Sequence, residues 1–417
     1  MDTCIDYRDG ALHIEAVAAE ALAARHGTPC YVYSRAGLEQ AWREYDGAFG
    51  ERPHRVCYAV KANSNLAVLD VLARLGSGFD VVSAGELRRV LAAGGRAADV
   101  VFSGVGKRTD ELEFALEAGI ACFDVESTAE IERLDAVARR LGRRAPVALR
   151  VNPEVDPRTH PYIATGLRES KFGIAWDEAP ALCRAVATRP GLHLRGLACH
   201  IGSQLTDAAP LREAAARMGE LARGLAGDGL PISHIDLGGG LGVCYDDERP
   251  VARGDLVAQL LAALGPLPPQ TEIVLEPGRS IAATAGVLLT RVEYLKPGPA
   301  RSFAIVDAAM NDLLRPSLYQ AWHAIRPVRP RQASARLWDV VGPVCESGDI
   351  LGRERVLALE PGDLLAIFGA GAYGFVMSSQ YNTRPRAAEV MVDGEHSHLV
   401  RERERFEDLI RGERRLP

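Results

Sequence analysis

The chain has 417 residues, more than one ordinary compact core holds, although a barrel of up to about 250 residues forms a single unit; two domains are expected. Its 47% hydrophobic and 25% charged residues are those of a soluble globular protein and exclude disordered or fibrous chains. The net charge of −6, from 55 acidic and 49 basic residues, leaves no basic field for nucleic acid, and no nucleic-acid-binding motif occurs.

The opening MDTCIDYRDG carries acids where a signal peptide has a basic segment, and no run of about 18 apolar residues follows, so a cytoplasmic chain without a membrane partner is expected. Next comes a helix-like stretch, EAVAAEALAARHG. From residue 56 to 276 a single rhythm repeats, a short apolar run closed by Gly, Asn or Ser and then a longer helix-period segment. The runs read as strands are VCYAV (56–60), FDVVS (79–83), VVFSG (100–104), CFDVE (122–126), VALRVN (147–152), GLACHIG (196–202), HIDLGGG (234–240) and EIVLEPG (272–278).

Eight such units over this length fit a TIM-like (β/α)8 barrel better than a doubly wound sheet, which needs fewer strands and a glycine-rich turn after the first. Intervening segments such as ELRRVLAAGG and EIERLDAVARRLG have apolar residues at three-and-four spacing and read as helices that pack on the barrel's outside. After residue 285 the texture becomes strands without long helices: VLLTRVEYL, SFAIVDA, RLWDVVG, DLLAIFG and AAEVMVDG. The fold class is therefore α/β, a barrel over residues 31–285, with an all-β barrel or sandwich domain built from 286–417 that also takes in residues 1–30. The tail RERERFEDLIRGERR reads as a surface helix with Phe406, Leu409 and Ile410 on one face.

Eight scattered cysteines form neither a C-x-x-C pair nor a zinc-spaced cluster, which argues for reduced, mostly buried thiols and no metal. The loop RVNPEVDPRTHPYIATG after the fifth run, residues 152–166 above all, is either a cover for the site or a static surface loop.

In such a barrel, polar residues at the C-terminal strand ends line the site. They are Lys61 after the first strand, Asp80 in the second, His200 after the sixth, Gly238, Gly239 and Gly240 after the seventh, and Glu276 to Arg279 after the eighth. A desolvated lysine there attacks aldehydes, although a lysine snorkelling from a strand end looks the same in sequence. The glycine run can bring backbone N–H groups to a phosphate or be a tight turn. Glu276 suits a ring nitrogen that must stay protonated, or a cap, or an ion pair with Arg279. His200 could stack on a ring or be a satisfied core histidine, and Ser203 could donate to a phosphate.

In order along nearly the whole chain, YAVKAN, FDVVSAGE, CHIGSQ, GGGLG, EPGRS, RPSLY, GPVCESGD and GAYG resemble the fold-type III pyridoxal-phosphate-dependent decarboxylases. The resemblance implies pyridoxal 5'-phosphate on Lys61, with His200 stacked on the ring as a further catalytic residue. It implies cofactor contacts from Asp80, Ser203, Gly239, Gly240, Glu276, Pro277, Gly278, Arg279 and Tyr373. It also implies Arg279, Arg315 and Tyr319 for a distal substrate carboxylate, and Tyr373 as a substrate neighbour. A homodimer is implied in which Cys345 of one subunit is the proton donor in the other's site and Glu346 binds the distal ammonium. Two arginines and a glutamate suit a far end with both charges, as in meso-diaminopimelate giving lysine; arginine, ornithine or carboxynorspermidine are the rival substrates. An alanine racemase places arginine at the ring nitrogen, a class I aldolase lacks the cofactor, and a chain that had lost its chemistry should lack the lysine or the donor.

Overall fold

The computed structural model describes residues 4–156 and 171–417. Two compact units emerge, Glu39–Cys244 with Glu248–Ile281, and Met1–Leu38 with Tyr245–Asp247 and Ala282–Pro417.

The first unit is a closed barrel of eight parallel strands, His54–Ala59, Gly78–Val81, Val100–Phe102, Cys122–Val125, Ala145–Arg150, Leu192–Ala198, His234–Asp236 and Glu272–Leu275. Pairing of the eighth strand with the first, Val274 with Arg55, closes it. Parallel strands covered on both sides carry near-continuous apolar runs, and Tyr58, Phe79, Phe102 and Phe123 are fully buried. All eight expected strands are present. The sequence runs overshoot their C-terminal ends: six were carried through the Gly, Ser or Asn of the following loop, and the other two end one residue late at Val60 and Glu126.

One layer of the barrel is made of small side chains, Cys57, Val101, Cys122, Ala148, Ala198 and Val274. Strand side chains alternate between faces, so the residue two positions on shares the same face. The next residues in that register are Ala59, Ser103, Asp124, Arg150, His200 and Glu276, five of the six polar. The period of the strand thus stacks a polar layer above a small apolar one. The helices that follow are begun by side-chain caps: Asn65 before Leu66–Arg74, Ser83 before Ala84–Ala92 and Ser127 before Thr128–Arg140.

The second unit is a nine-stranded sheet with a path Ile350–Leu357, Arg336–Val341, Phe303–Val306, Gly286–Lys296, Cys30–Ser34, Ala388–Asp393, His396–Arg401. Leu364–Phe368 joins it through Gly286–Lys296 and in turn pairs with Ile325–Pro327. The N-terminal segment forms a small sheet, Ile5–Arg8, Ala11–Ile14 and Val17–Ala18, and the helix Ala19–His26. Leu12, Ile14, Ala19, Leu22 and Ala23 pack with Val287, Leu289 and Val390 in one core. The expected boundary at residue 31 falls inside a strand: Cys30–Ser34 lies between Gly286–Lys296 and Ala388–Asp393, which places the start of the barrel unit at Glu39.

The tail forms only the four-residue helix Phe406–Leu409, with Phe406 62% exposed, in keeping with a surface segment. Of the loop 152–166, residues 157–166 lie outside the described residues. Among the described residues no helix is long and apolar enough to cross a membrane.

Candidate active site

Lys61 sits in a single helical turn, Val60–Ala62, directly after the first barrel strand. Tyr58 steadies the turn by donating to the Asn63 carbonyl at 3.1 Å, and Asn63 Oδ1 accepts from the Asn65 amide at 3.0 Å. The Lys61 ammonium donates to Asp80 Oδ2 at 2.6 Å from the neighbouring strand, and the Asp80 side chain is fully buried. This contact aims the amine, which desolvation alone would not do.

The chain has four lysines, Lys61, Lys107, Lys171 and Lys296. Lys107 also follows a barrel strand but is buried, and its three N–H groups go to Gly104 O, Asp124 O and Glu130 Oε1 at 2.8, 2.6 and 2.7 Å. That lysine is structural. Of the four, only Lys61 combines a position at the end of a barrel strand with an accessible side chain, 38% exposed; Lys296 ends a strand of the other unit.

The glycine run crosses over the neighbouring strand ends at close quarters. A Cβ on Gly239 would stand 2.2 Å from the Glu276 carbonyl oxygen, and one on Gly240, at φ +114°, 2.5 Å from the Gly202 carbonyl oxygen. Only glycine lets the backbone lie there with its amides at the barrel mouth. The Gly239 amide donates to His200 Nδ1 at 3.2 Å, so that nitrogen bears no proton. Burial, with Arg150 and Lys61 nearby, holds the His200 imidazole well below its ordinary range, so it is neutral. Arg279 opens the short helix Arg279–Ala282 and donates through Nη2 to Ser203 Oγ at 3.1 Å. The Ala59 amide donates to the Pro277 carbonyl at 3.1 Å, and Gly278 lies close enough that a Cβ would be 3.0 Å from those of Ala59 and Ala62. The strand-end residues expected from sequence, Lys61, Asp80, His200, Ser203, Gly239, Gly240 and Glu276 to Arg279, all belong to this barrel unit.

Sequence reasoning passed over Ser103, Asp124, Arg150 and Asp236, although each lies inside or beside a quoted strand. One carboxylate oxygen from each of Asp124, Asp236 and Glu276 lies within 4.8 Å of the others. Burial, joined by the mutual repulsion of these acids and Asp80, raises Asp236 and Glu276 well above the usual carboxylate range. Burial likewise pushes Asp124 up to about 7, with Lys107 opposing. Asp80 Oδ1, Asp124 Oδ1 and Asp236 Oδ2 are buried without a hydrogen-bond partner. Burial also raises the thiols of Cys57, Cys122 and Cys199, which leaves them inert.

The remaining expected residues, Arg315, Tyr319, Cys345, Glu346 and Tyr373, belong to the β unit. The helix Arg315–Tyr319 meets the loop carrying Cys345 and Glu346 where Ser317 Oγ donates to Gly348 O at 2.7 Å. Buried Arg315 donates to His323 Nε2 at 2.8 Å and lies over the Tyr245 ring. Cys345 is exposed, and its amide donates to Asn382 Oδ1 at 2.9 Å. Tyr373 holds a left-handed backbone, φ 55°, which stores strain at that residue.

The barrel mouth fits a phosphorylated pyridine aldehyde. It offers one aimed amine, an anion cradle of glycine amides with Arg279 and Ser203, and a buried acid cluster whose excess negative charge a ring cation would relieve.

A family model described as pyridoxal-dependent decarboxylase, pyridoxal binding domain, matches residues 35–283. The chain is 59% identical to a diaminopimelate decarboxylase of Pseudomonas aeruginosa, over 100% of both chains. Among solved structures it is similar to diaminopimelate decarboxylase from Helicobacter pylori complexed with L-lysine, with TM-score 0.91 and 44% identity over 94% of this chain and 98% of that one. A diaminopimelate decarboxylase from M. jannaschii in co-complex with L-lysine matches with TM-score 0.95 and 36% identity over 100% and 98%.

A group bound to its proton more tightly in the folded chain stabilises that chain below its unfolded pKa and loses this contribution as pH rises. For Asp124 the window runs from an ordinary aspartate's 3.8 to about 7. In the cofactor-free protein, the stability of Asp124→Asn relative to the parent should therefore rise across that window and level off above it. Denaturant unfolding at a series of pH values measures this; a pH-independent difference would contradict it.

Proposed function

The chain belongs to the pyridoxal-dependent decarboxylase family, and within it we propose that it removes the carboxylate from the D centre of meso-2,6-diaminopimelate to yield L-lysine and carbon dioxide, the last step of lysine biosynthesis. The observation that carries this is the joint presence of an aimed Lys61 amine, the glycine and Arg279 anion cradle, and full-length identity of 59% to a diaminopimelate decarboxylase. The chain is an enzyme and its cofactor is pyridoxal 5'-phosphate.

When bound, the cofactor supplies an electron-accepting ring for the electron pair left as carbon dioxide departs. Lys61 would hold the aldehyde, and its amine lies where it can act as a base or acid. Gly239, with no side chain in the way, and the Gly240 amide, with Ser203 and Arg279, would hold the phosphate, while the Gly239 amide keeps His200 in place. His200, neutral, offers its ring face without adding charge. Glu276 would meet the ring nitrogen, and Pro277 and Gly278 hold that segment against the first strand. Asp80 orients the Lys61 amine before substrate arrives.

Arg279, Arg315 and Tyr319 are assigned to the substrate's distal carboxylate and Glu346 to its distal ammonium, with Tyr373 beside cofactor and substrate. A guanidinium matches a carboxylate in a forked geometry, which an amine-only substrate cannot reproduce. Cys345 of the partner subunit returns the proton to the α carbon. The enzyme is thus a cytoplasmic homodimer with shared sites. The exposure of Cys345 in the single chain supports this reading, since a donor for another chain's site has to be reachable.

Purified holoenzyme given meso-diaminopimelate should release equal amounts of lysine and carbon dioxide. Arginine, ornithine, lysine and carboxynorspermidine should react at least about a hundredfold more slowly, because unpaired buried charges cost a few kcal/mol. Faster release from any of these would move the assignment to that substrate. Mixing inactive Lys61→Ala and Cys345→Ala chains tests sharing: random reassortment makes half the dimers mixed, each with one intact site, so about a quarter of parental activity should return. No recovery in dimers shown to have exchanged would refute a shared site.

A further inference from the structure

The Ser103 hydroxyl lies between two buried carboxylates, 3.2 Å from Asp124 Oδ2 and 3.3 Å from Glu276 Oε1. Ser103, Asp124 and Glu276 are 4%, 1% and 8% exposed, so bulk water does not satisfy them. A hydroxyl has one proton to give and lone pairs with which to accept. It cannot donate to two ionised carboxylates at once, so one of the two acids has to bring a proton and give it to Ser103 Oγ.

Asp124 is the better holder of that proton. Lys107, which acts on it, donates to the Asp124 backbone carbonyl at 2.6 Å. Asp124 Oδ1 has no partner, and neither has Oδ2 of Asp236 in the same cluster. An ionised Asp124 would bury a bare anionic oxygen beside other acids, an expensive arrangement. The charged groups felt by this cluster are Asp80, Asp236, Glu126, Lys61, Lys107 and Arg150, with the thiols of Cys57 and Cys199 beside it.

We propose that Ser103 and Asp124 are positioning residues for Glu276: the protonated Asp124 carboxyl donates to Ser103 Oγ, and the Ser103 hydroxyl donates to Glu276 Oε1. Glu276 is then the acid of the cluster that meets the ring nitrogen as a carboxylate. A donated hydrogen bond makes Glu276 less basic, which leaves the shared proton on the ring nitrogen and preserves the ring as an electron acceptor. In the cofactor-free chain Glu276 is raised, and a ring cation is what reverses this. The inference rests on the assignment of Glu276 to the ring nitrogen made above.

The test uses holoenzyme and three readouts. Infrared spectra in H2O and D2O should contain a protonated-carboxyl band that Asp124→Asn removes and Ser103→Ala shifts. Ser103→Ala should lower kcat about tenfold with little change in KM, and should displace the pH at which the bound cofactor's absorbance changes. Asp124→Ala should behave like Ser103→Ala, whereas Asp124→Asn, whose amide can still donate to Ser103, should recover most of the loss. A carboxyl band unaltered in Asp124→Asn, or Ser103→Ala with an unshifted absorbance profile and parental kcat, would overturn the relay, and neither needs Asp124→Ala to fold. Glu276→Gln separates the two levels: if it leaves absorbance and kcat as they were, the reading of Glu276 fails, and if it alters both while Ser103→Ala alters neither, only the relay fails.

Discussion

Crowded negative charge at the C-terminal end of the barrel is the constraint on which the rest of the site depends. Asp80, Asp124, Asp236 and Glu276 are all buried there, and the pairing of Asp80 with Lys61 leaves the other three facing one another. Carboxylates confined in this way cannot all ionise, so they hold protons between them or take up a cation. A cofactor with a basic ring nitrogen answers that need, and it does so where the single aimed amine and the glycine cradle can hold its other ends. The cluster therefore works as a receptor for positive charge before any chemistry begins.

How a 417-residue chain builds such a cluster follows from strand geometry. Ser103, Asp124 and Glu276 lie two residues beyond Val101, Cys122 and Val274 of the small apolar layer, in or just past the third, fourth and eighth strands. Closing the barrel brings strands distant in sequence to one axis, so acids separated by more than a hundred residues meet within a few ångströms. Small residues below them leave no bulky side chain to push the acids apart. Cys57 and Cys122 serve there as compact apolar groups, which burial keeps protonated.

Much of this was legible from the residues. Parallel strands buried on both faces spell continuous apolar runs, so all eight barrel strands could be read, and lysine, histidine and glutamate just past such runs stood out as Lys61, His200 and Glu276. Asp124 and Asp236 did not, because an acid within CFDVE or HIDLGGG looks like the polar partner of an alternating strand; only closure of the barrel shows that it points to the axis. Arg150 and Ser103 were hidden in the same way. In the β unit, the strands after residue 285 were visible, but Cys30–Ser34 was not assigned to them, since its partners lie more than 250 residues later in the chain, at Gly286–Lys296 and Ala388–Asp393. Local pattern carries no information on pairing over that span. The roles of Cys345 and Glu346 came from motif resemblance, as neither burial nor spacing marks an exposed loop cysteine as a proton donor.

The central claim is that Lys61 alone among the four lysines carries the cofactor. Borohydride reduction of the holoenzyme fixes pyridoxal phosphate to whichever amine holds it, and digestion followed by mass spectrometry then locates the tag. The account predicts a single modified peptide containing Lys61, in an amount that matches the cofactor bound. A tag on Lys107, Lys171 or Lys296 with Lys61 unmodified, or a holoenzyme that reduction leaves untagged, would contradict it.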